Sequence, residues 1–211
     1  FLPFLRLYCV CECELIKRGY YPNGGGLVRL RFRKGESLLK SLELTKRGKL
    51  IEIGGVSHAS EDLAKRRVSE RQAEAALKRL KHLARVNIHC YYYKTLSTGS
   101  GITLFARFEP QGNIPVIIGS CSLGKPGRLA EGVGNEAAEA LLKNIGFGAP
   151  IDPYLADQLL IIAVLSGGVL RAPKITGHIK SGIYVIQKFL GNVVSLEGLT
   201  IRVKRGIQLF H

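Results

Sequence analysis

Long apolar runs are missing from this sequence. The longest uninterrupted one covers residues 159–165 and is followed at once by Ser166 and two glycines, whereas a helix that spans a bilayer needs about 18 or more apolar residues. We therefore expect a soluble protein with no membrane partner. We place it in the cytoplasm, or in the nucleus if its source is eukaryotic.

Acidic residues are scarce. Sixteen Asp and Glu stand against 31 Lys and Arg, which gives a formal net charge of +15. Such a balance favours a polyanionic partner, such as nucleic acid or a nucleotide. A basic surface that only keeps the protein in solution explains the charge equally well. The charge thus indicates a class of partner and no reaction.

The cysteines do not form the even, regularly spaced framework of a disulfide-rich secreted domain. Five are present, of which Cys9, Cys11 and Cys13 alternate along an apolar-polar pattern. Alternate strand residues lie about 6.5 to 7 Å apart, too far for sulfurs that share one tetrahedral zinc ion. We expect reduced thiols, and the sequence identifies no metal ligands.

The periodicity of apolar residues changes repeatedly along the chain. Alternation predicts strands at 7–16, 27–32, 44–56, 86–93, 101–109, 114–120, 193–195 and 199–203. Helical spacing predicts helices at about 60–85, 130–146, 153–165 and 179–190. This order predicts an α+β fold with helices layered on sheets and argues against a single parallel sheet.

The first predicted helix is strongly basic. Ala73, Leu77, Leu80 and Ala84 form its expected apolar stripe. The basic side chains could face RNA, but a solvated outer surface is the favoured interpretation. They are Lys65, Arg66, Arg67, Arg71, Lys78, Arg79, Lys81 and Arg85.

A glycine-rich loop separates the first two predicted strands. Residues 18–26 read RGYYPNGGG, so three glycines expose backbone amides while Lys17 and Arg18 supply positive charge. These features suit a phosphate group. A plain connection between strands is the simpler alternative, because the segment matches neither the Walker pattern nor the dinucleotide fingerprint.

Two further segments could carry chemistry. Tyr154, Asp157 and Gln158 are spaced so that a ring, a carboxylate and an amide project together from the first turns of a helix. A structural hydrogen bond explains Asp157 as well as catalysis does. His178 begins the last predicted helix, where the macrodipole favours a neutral imidazole beside a phosphate; a structural histidine near a cap is the alternative. The remaining histidines, His58, His82, His89 and His211, are interpreted as surface or structural residues.

Three segments together resemble the RNA 3'-terminal phosphate cyclase family. The first is RGYYPNGGGLV at residues 18–28, which matches the family's signature. The second is GAPIDPYLADQL at residues 148–159, and the third runs from Gly177 to Leu190 and is similar to the family's catalytic-histidine segment. They occur in the order that the family shows.

The resemblance implies a fold of repeated units, each with two helices on a four-stranded sheet, and a smaller inserted α+β domain. Residues 1–45 and 149–211 would form part of the core and residues 46–148 the insertion. Family members carry a long segment before the first motif, with residues that contact metal, nucleotide and the RNA end. We therefore expect activity to need the full-length protein.

The resemblance also implies the reaction, an ATP-dependent conversion of an RNA 3'-terminal phosphate to a 2',3'-cyclic phosphate by a ligase-class enzyme. His178 would be the adenylated nucleophile, with Mg²⁺ or Mn²⁺ as the metal. Tyr154 would stack on the adenine, and Asp157 and Gln158 would line the site near His178. The alternative is a non-catalytic, cyclase-like protein for RNA binding or ribosome assembly. His178 argues against it, because those relatives lack the nucleophile.

Overall fold

The computed structural model describes residues 1–35 and 40–204 and has an α+β architecture, as predicted. Its elements in chain order are α1 (Leu2–Leu5), β1 (Cys9–Lys17), β2 (Leu27–Lys34), β3 (Leu42–Leu44), β4 (Leu50–Ser60), α2 (Val68–Leu80), β5 (Arg85–Tyr93), β6 (Ser100–Gln111), β7 (Ile114–Leu123), α3 (Ala130–Gly146), α4 (Pro153–Ser166), β8 (Gly168–Arg171), α5 (Gly177–Leu190), β9 (Val194–Glu197) and β10 (Thr200–Val203).

The middle of the chain forms a unit of two helices on a four-stranded sheet, which we call the inner unit (residues 50–146). The strand order is β5-β4-β6-β7; β4 and β5 are parallel, and the other two pairs are antiparallel. Helices α2 and α3 pack on this sheet and on each other. Gly134 makes the helix crossing close, since a Cβ added there would lie 2.1 Å from the backbone oxygen of Gln72.

Segments on either side of the inner unit form a second four-stranded sheet, β3-β8-β10-β9, with α4 and α5; we call this the outer unit. Strands β3 and β8 are parallel, and β10 is antiparallel to both of its neighbours. Leu42, Leu44, Leu170 and Ile201 are fully buried in this sheet. The inner unit enters the chain between β3 and α4.

The strand directions determine how α4 and α5 run. A single residue, Gly167, joins α4 to the beginning of β8. Helix α5 starts after the end of β8 and returns to β9, which is parallel to β8 because both are antiparallel to β10. Since α4 and α5 also contact each other, they lie side by side and roughly parallel. Their N-termini therefore share one end of the outer unit.

The predicted pairing of the first two strands is confirmed. Strands β1 and β2 form a separate antiparallel hairpin in which Cys13 faces Leu30 and Glu14 faces Arg29. Most of its residues are exposed, including Phe32 at 54%. Alternation gives it one apolar and one charged face.

The single long basic helix predicted for 60–85 is wrong. A 3-10 turn covers Glu61–Arg66, and α2 begins only after Arg67, whose φ of 49° places it in the left-handed region. Leu77, predicted to be buried, is 40% exposed, whereas Ala76 is fully buried. In the described parts of the chain, no helix is both long and apolar enough to cross a membrane.

Candidate active site

The first turn of α4 is held by a buried carboxylate. Asp152 Oδ1 accepts hydrogen bonds from the backbone nitrogens of Tyr154 (3.0 Å) and Leu155 (2.9 Å) and so caps the N-terminus of α4. Its other oxygen, Oδ2, accepts from the backbone nitrogen of Gly119 in β7 at 3.1 Å. Asp152 thus joins the start of α4 to the inner unit and orients the side chains that follow.

Tyr154 and Gln158 border a cavity between the two units. The cavity has a volume of ≈ 660 Å³, and Phe105 and Ile117 of the inner sheet form part of its wall. The Tyr154 side chain is 74% exposed, so its ring presents an open aromatic surface at the cavity. This arrangement suits a planar ligand that stacks on the ring while an amide lies beside it.

Asp157 and His178 do not line this cavity. Asp157 is half-buried on α4, and His178 is exposed as the second residue of α5. Thr176 caps α5 by accepting a hydrogen bond from the Ile179 nitrogen at 3.2 Å. Among residues 1–35 and 40–204, neither Asp157 nor His178 has a side-chain hydrogen bond or ion pair. Both groups are therefore available to a ligand.

The packing of α4 on α5 relates these two residues. A Cβ added at Gly182 would lie 3.1 Å from Leu160 Cδ2, so the helices touch at this pair. Asp157 lies three residues before Leu160, and His178 lies four residues before Gly182. In parallel helices these spacings put both residues one turn towards the shared N-terminal end. Asp157 and His178 therefore lie towards the same end of α4 and α5, whereas Tyr154 and Gln158 border the cavity.

The glycine-rich loop lies against the inner unit. The Asn23 nitrogen donates to Ser97 Oγ at 3.0 Å, and the Gly24 nitrogen donates to the Tyr20 oxygen at 2.8 Å. The ring of Tyr20 covers Gly99, where a Cβ would come within 2.3 Å of it. One of the three glycine amides offered to a phosphate, that of Gly24, is thus occupied, which favours the interpretation as a connection between strands.

A buried histidine explains how this loop is held. Arg18 Nη1 lies 3.2 Å from His58 Nε2, and Tyr20 Oη lies 2.8 Å from His58 Nδ1. Since a guanidinium only donates, Nε2 accepts, the proton sits on Nδ1, and Nδ1 donates to Tyr20. Burial and the charge of Arg18 lower the pKa of His58 to about 4. The Arg18 guanidinium also lies over the Tyr93 ring, 5.1 Å from its centroid.

His58 is therefore structural, which agrees with its interpretation from the sequence. The residues next to it in the sequence did not indicate its partners, Arg18 and Tyr20. Burial also raises the pKa of Tyr20 to about 12, so this hydroxyl stays protonated. His82 is exposed, and His211 lies outside the described residues.

The basic face of α2 is partly compensated by carboxylates, since three of the eight basic side chains predicted for it form ion pairs among the described residues. Arg67 pairs with Glu74 at 3.2 Å, and Arg79 pairs with Glu139 at 3.0 Å. These exposed pairs contribute little to stability, but they reduce the positive potential of the outer surface. The arrangement supports the interpretation of this face as a solvated surface.

The described residues supply no ready metal site. Within residues 1–35 and 40–204, no group of three His, Cys, Asp or Glu side chains is arranged to hold an ion. Asp157 is the one carboxylate among the predicted site residues and would offer a single ligand. The donors of the described residues do not by themselves fit the metal that the family resemblance implies.

Comparisons with known proteins identify relatives that match most of the chain. A family model described as the insert domain of RNA 3'-terminal phosphate cyclase matches residues 45–146. A curated RNA 3'-terminal phosphate cyclase of Archaeoglobus fulgidus is 39% identical over 197 residues, which cover 92% of this chain and 56% of that protein. The enzyme of the same name from Thermococcus kodakarensis is 38% identical, with 89% and 53% covered. The one from Staphylothermus marinus is 37% identical, with 94% and 57% covered. The chain thus spans about half the length of the curated relatives it matches.

Proposed function

The chain belongs to the RNA 3'-terminal phosphate cyclase family, and on this premise we propose that its protein closes RNA 3'-phosphate ends into 2',3'-cyclic phosphates with ATP. The substrates are ATP and an RNA with a 3'-terminal phosphate. The relatives are named for this reaction, and the motif residues of this chain support the same chemistry.

The proposal is supported by the placement of His178 in the first turn of α5, a helix that packs against α4, which carries Asp157. His178 is exposed and has no partner among the described residues. The backbone N–H groups at the start of α5 favour a phosphate near His178. An imidazole without a protein partner, next to bound phosphate, is what a nucleophile for nucleotidyl transfer requires.

In the first step, an unprotonated ring nitrogen of His178 attacks the α-phosphorus of ATP. A P–N bond forms, the bond between the α-phosphorus and the bridging oxygen breaks, and pyrophosphate leaves. Tyr154 stacks on the adenine with Gln158 beside it. We assign Asp157 to orienting the imidazole, by accepting a hydrogen bond from its second ring nitrogen.

In the second step, an oxygen of the RNA 3'-phosphate takes the AMP from His178 and restores the free imidazole. In the third, the neighbouring 2'-hydroxyl attacks the activated 3'-phosphorus, loses its proton, and expels AMP as the cyclic phosphate closes. Backbone N–H groups at the helix N-termini stabilise the charge that develops on the phosphate oxygens. Among residues 1–35 and 40–204, the donors form no site for Mg²⁺ or Mn²⁺, so these steps are assigned to the protein's own groups.

The test is the cyclisation of 3'-phosphorylated RNA by the full-length protein. His178→Asn should lower the rate by at least about a thousandfold, because losing a covalent nucleophile removes the pathway. His82→Asn, the same change at an exposed position outside the motifs, should leave the rate unchanged. Near-normal cyclisation by His178→Asn in a protein that unfolds at the usual temperature would show that the nucleophile lies elsewhere.

A further inference from the structure

A second cavity, of ≈ 520 Å³, lies in the inner unit. The residues that line it are separate in sequence from the motif residues of α4 and α5. It is bordered by the start of α2, the start of β6 and the loop before α3. We call it the basic cavity, because four of its side chains are cationic and none of its lining residues is acidic. The four are Arg66, Arg71, Lys125 and Arg128.

Two of the four cations lack a carboxylate partner. Arg71 makes a two-pronged pair with Glu131 at 2.7 and 2.9 Å, and Arg128 lies 2.8 Å from Glu136. In the stretches 1–35 and 40–204, Arg66 and Lys125 form no ion pair, and both are exposed. Arg66 and Lys125 therefore leave positive charge at the cavity that no ion pair among the described residues compensates.

Backbone groups add to this potential. The loop that carries Lys125 has glycines at 124 and 127, the latter at a φ of 77°, so the chain bends tightly beside the cavity. Leu129, the residue before α3, offers no side-chain acceptor to the first N–H groups of that 17-residue helix. These N–H groups complement an anion that the cationic side chains attract.

The lining also indicates which part of a ligand it contacts. It contains no aromatic side chain that could stack on a base, whereas stacking is the usual way to hold a nucleobase. Exposed cations with backbone donors are the usual contacts of phosphodiester oxygens. The cavity is thus suited to a nucleic-acid backbone and poorly suited to the base of a mononucleotide.

We propose that the basic cavity binds phosphodiester groups of the RNA substrate, upstream of the 3' end that reacts at the outer unit. This proposal rests on the proposed function, since it takes RNA as the substrate. It predicts that affinity is independent of RNA sequence and of whether the end carries a phosphate. It assigns to the inner unit the task of holding the strand.

The experiment measures binding of a fluorescein-labelled single-stranded RNA to the 211-residue chain by anisotropy, at several salt concentrations. The variant Arg66→Gln/Lys125→Gln removes the two unpaired cations. The control Lys81→Gln/Lys143→Gln removes the same charge at the C-terminal ends of α2 and α3, where both residues are exposed.

The cavity variant should bind roughly 25-fold more weakly at 0.1 M salt and lose about 1.4 from the slope of log affinity against log salt, since each single-strand phosphate contact contributes about 0.7. The control should lose less than about threefold, through net charge alone. Equal losses in both variants would overturn the proposal. The proposal would also be wrong if the unmodified chain bound ATP, only the cavity variant lost that binding, and the affinity for RNA stayed the same. The ligand of the cavity would then be a free nucleotide.

A failure here differs from a failure of the proposed function. Normal RNA affinity in the cavity variant leaves the role of His178 untouched. Conversely, normal cyclisation of RNA by His178→Asn, together with RNA binding that is still 25-fold weaker in the cavity variant, would contradict the proposed role of His178 and support the RNA site.

Discussion

The inner and outer units use the same layering but treat their polar residues differently. In the inner unit, His58 is buried against Arg18 and Tyr20, and Arg71 is paired with Glu131. In the outer unit, Tyr154 is 74% exposed and His178 makes no side-chain bond among the described residues. Both units have buried apolar cores, so the difference concerns function and not folding.

Polar groups that satisfy one another stabilise a fold, whereas groups left open at a surface are available to substrate. The comparison therefore predicts that changes in the inner unit alter stability, and that changes at the motif residues alter ligand use alone. The basic cavity is a place in the inner unit where charge is open to a ligand, because Arg66 and Lys125 form no ion pair among the described residues.

The largest effect is expected where the inner helices cross. Gly134→Ala should lower the free energy of unfolding by about 2 to 3 kcal/mol, because the new Cβ would sit 2.1 Å from the Gln72 oxygen and the helices must separate. Urea titration of the chain measures this. Gly132→Ala, in the same helix, is the control, since its Cβ approaches only Arg128 Nε at 3.9 Å. It should raise stability by up to about 1 kcal/mol. Equal effects at both positions would mean that the crossing is not close.

The next effect separates ligand use from stability in the outer unit. Tyr154→Ala should weaken ATP binding by the full-length protein about 10- to 100-fold, the range expected for losing one stacked base. Its unfolding temperature should stay within error, because the ring is mostly exposed. Tyr154→Phe should bind nearly normally, since stacking needs the ring and not the hydroxyl. If both variants lose ATP binding equally, the hydroxyl carries the interaction.

The smallest effect is a pH dependence at the contact between the glycine-rich loop and the inner unit. The pKa of His58 is lowered from 6.5 to about 4 in the fold, so the unfolded chain binds more protons between these values. The contribution of neutral His58 to the free energy of unfolding is complete above pH 6.5 and is lost as the pH falls towards 4. Between pH 6.5 and 5, the chain should lose about 1 to 2 kcal/mol more unfolding free energy than His58→Gln does. Parallel pH profiles would show that His58 does not titrate in this way.

Much of the fold could be predicted because its signals are local. Asp152 and Pro153 mark the start of α4, and the glycines after residue 145 mark the end of α3. The break at Arg67 could not be predicted, because arginine rarely adopts a positive φ and nothing nearby favours one. The exposure of Leu77 depends on the close contact at Gly134, which selects a different face of α2.

The site was only partly predictable for a similar reason. Spacing put Tyr154, Asp157 and Gln158 on the first turns of one helix, which the structure confirms. Tyr154 and Gln158 border the cavity, whereas Asp157 does not. This separation depends on the packing of Leu160 against Gly182, a contact between residues that are far apart in the sequence. The basic cavity had a local signal that was missed: the segment GKPGR at residues 124–128 places glycines and cations directly before a helix.

The most direct test of His178 as the nucleophile is the position of a covalent adenylate. Full-length protein is incubated with ATP labelled at the α-phosphate, in the presence of a divalent metal, and the labelled peptide is identified by mass spectrometry. We predict one AMP on His178. This AMP should be lost in acid and in hydroxylamine, as a phosphoramidate is, and should be absent from His178→Asn. Label on a lysine, or undiminished label in His178→Asn, would contradict this prediction and indicate a lysine-adenylating enzyme instead.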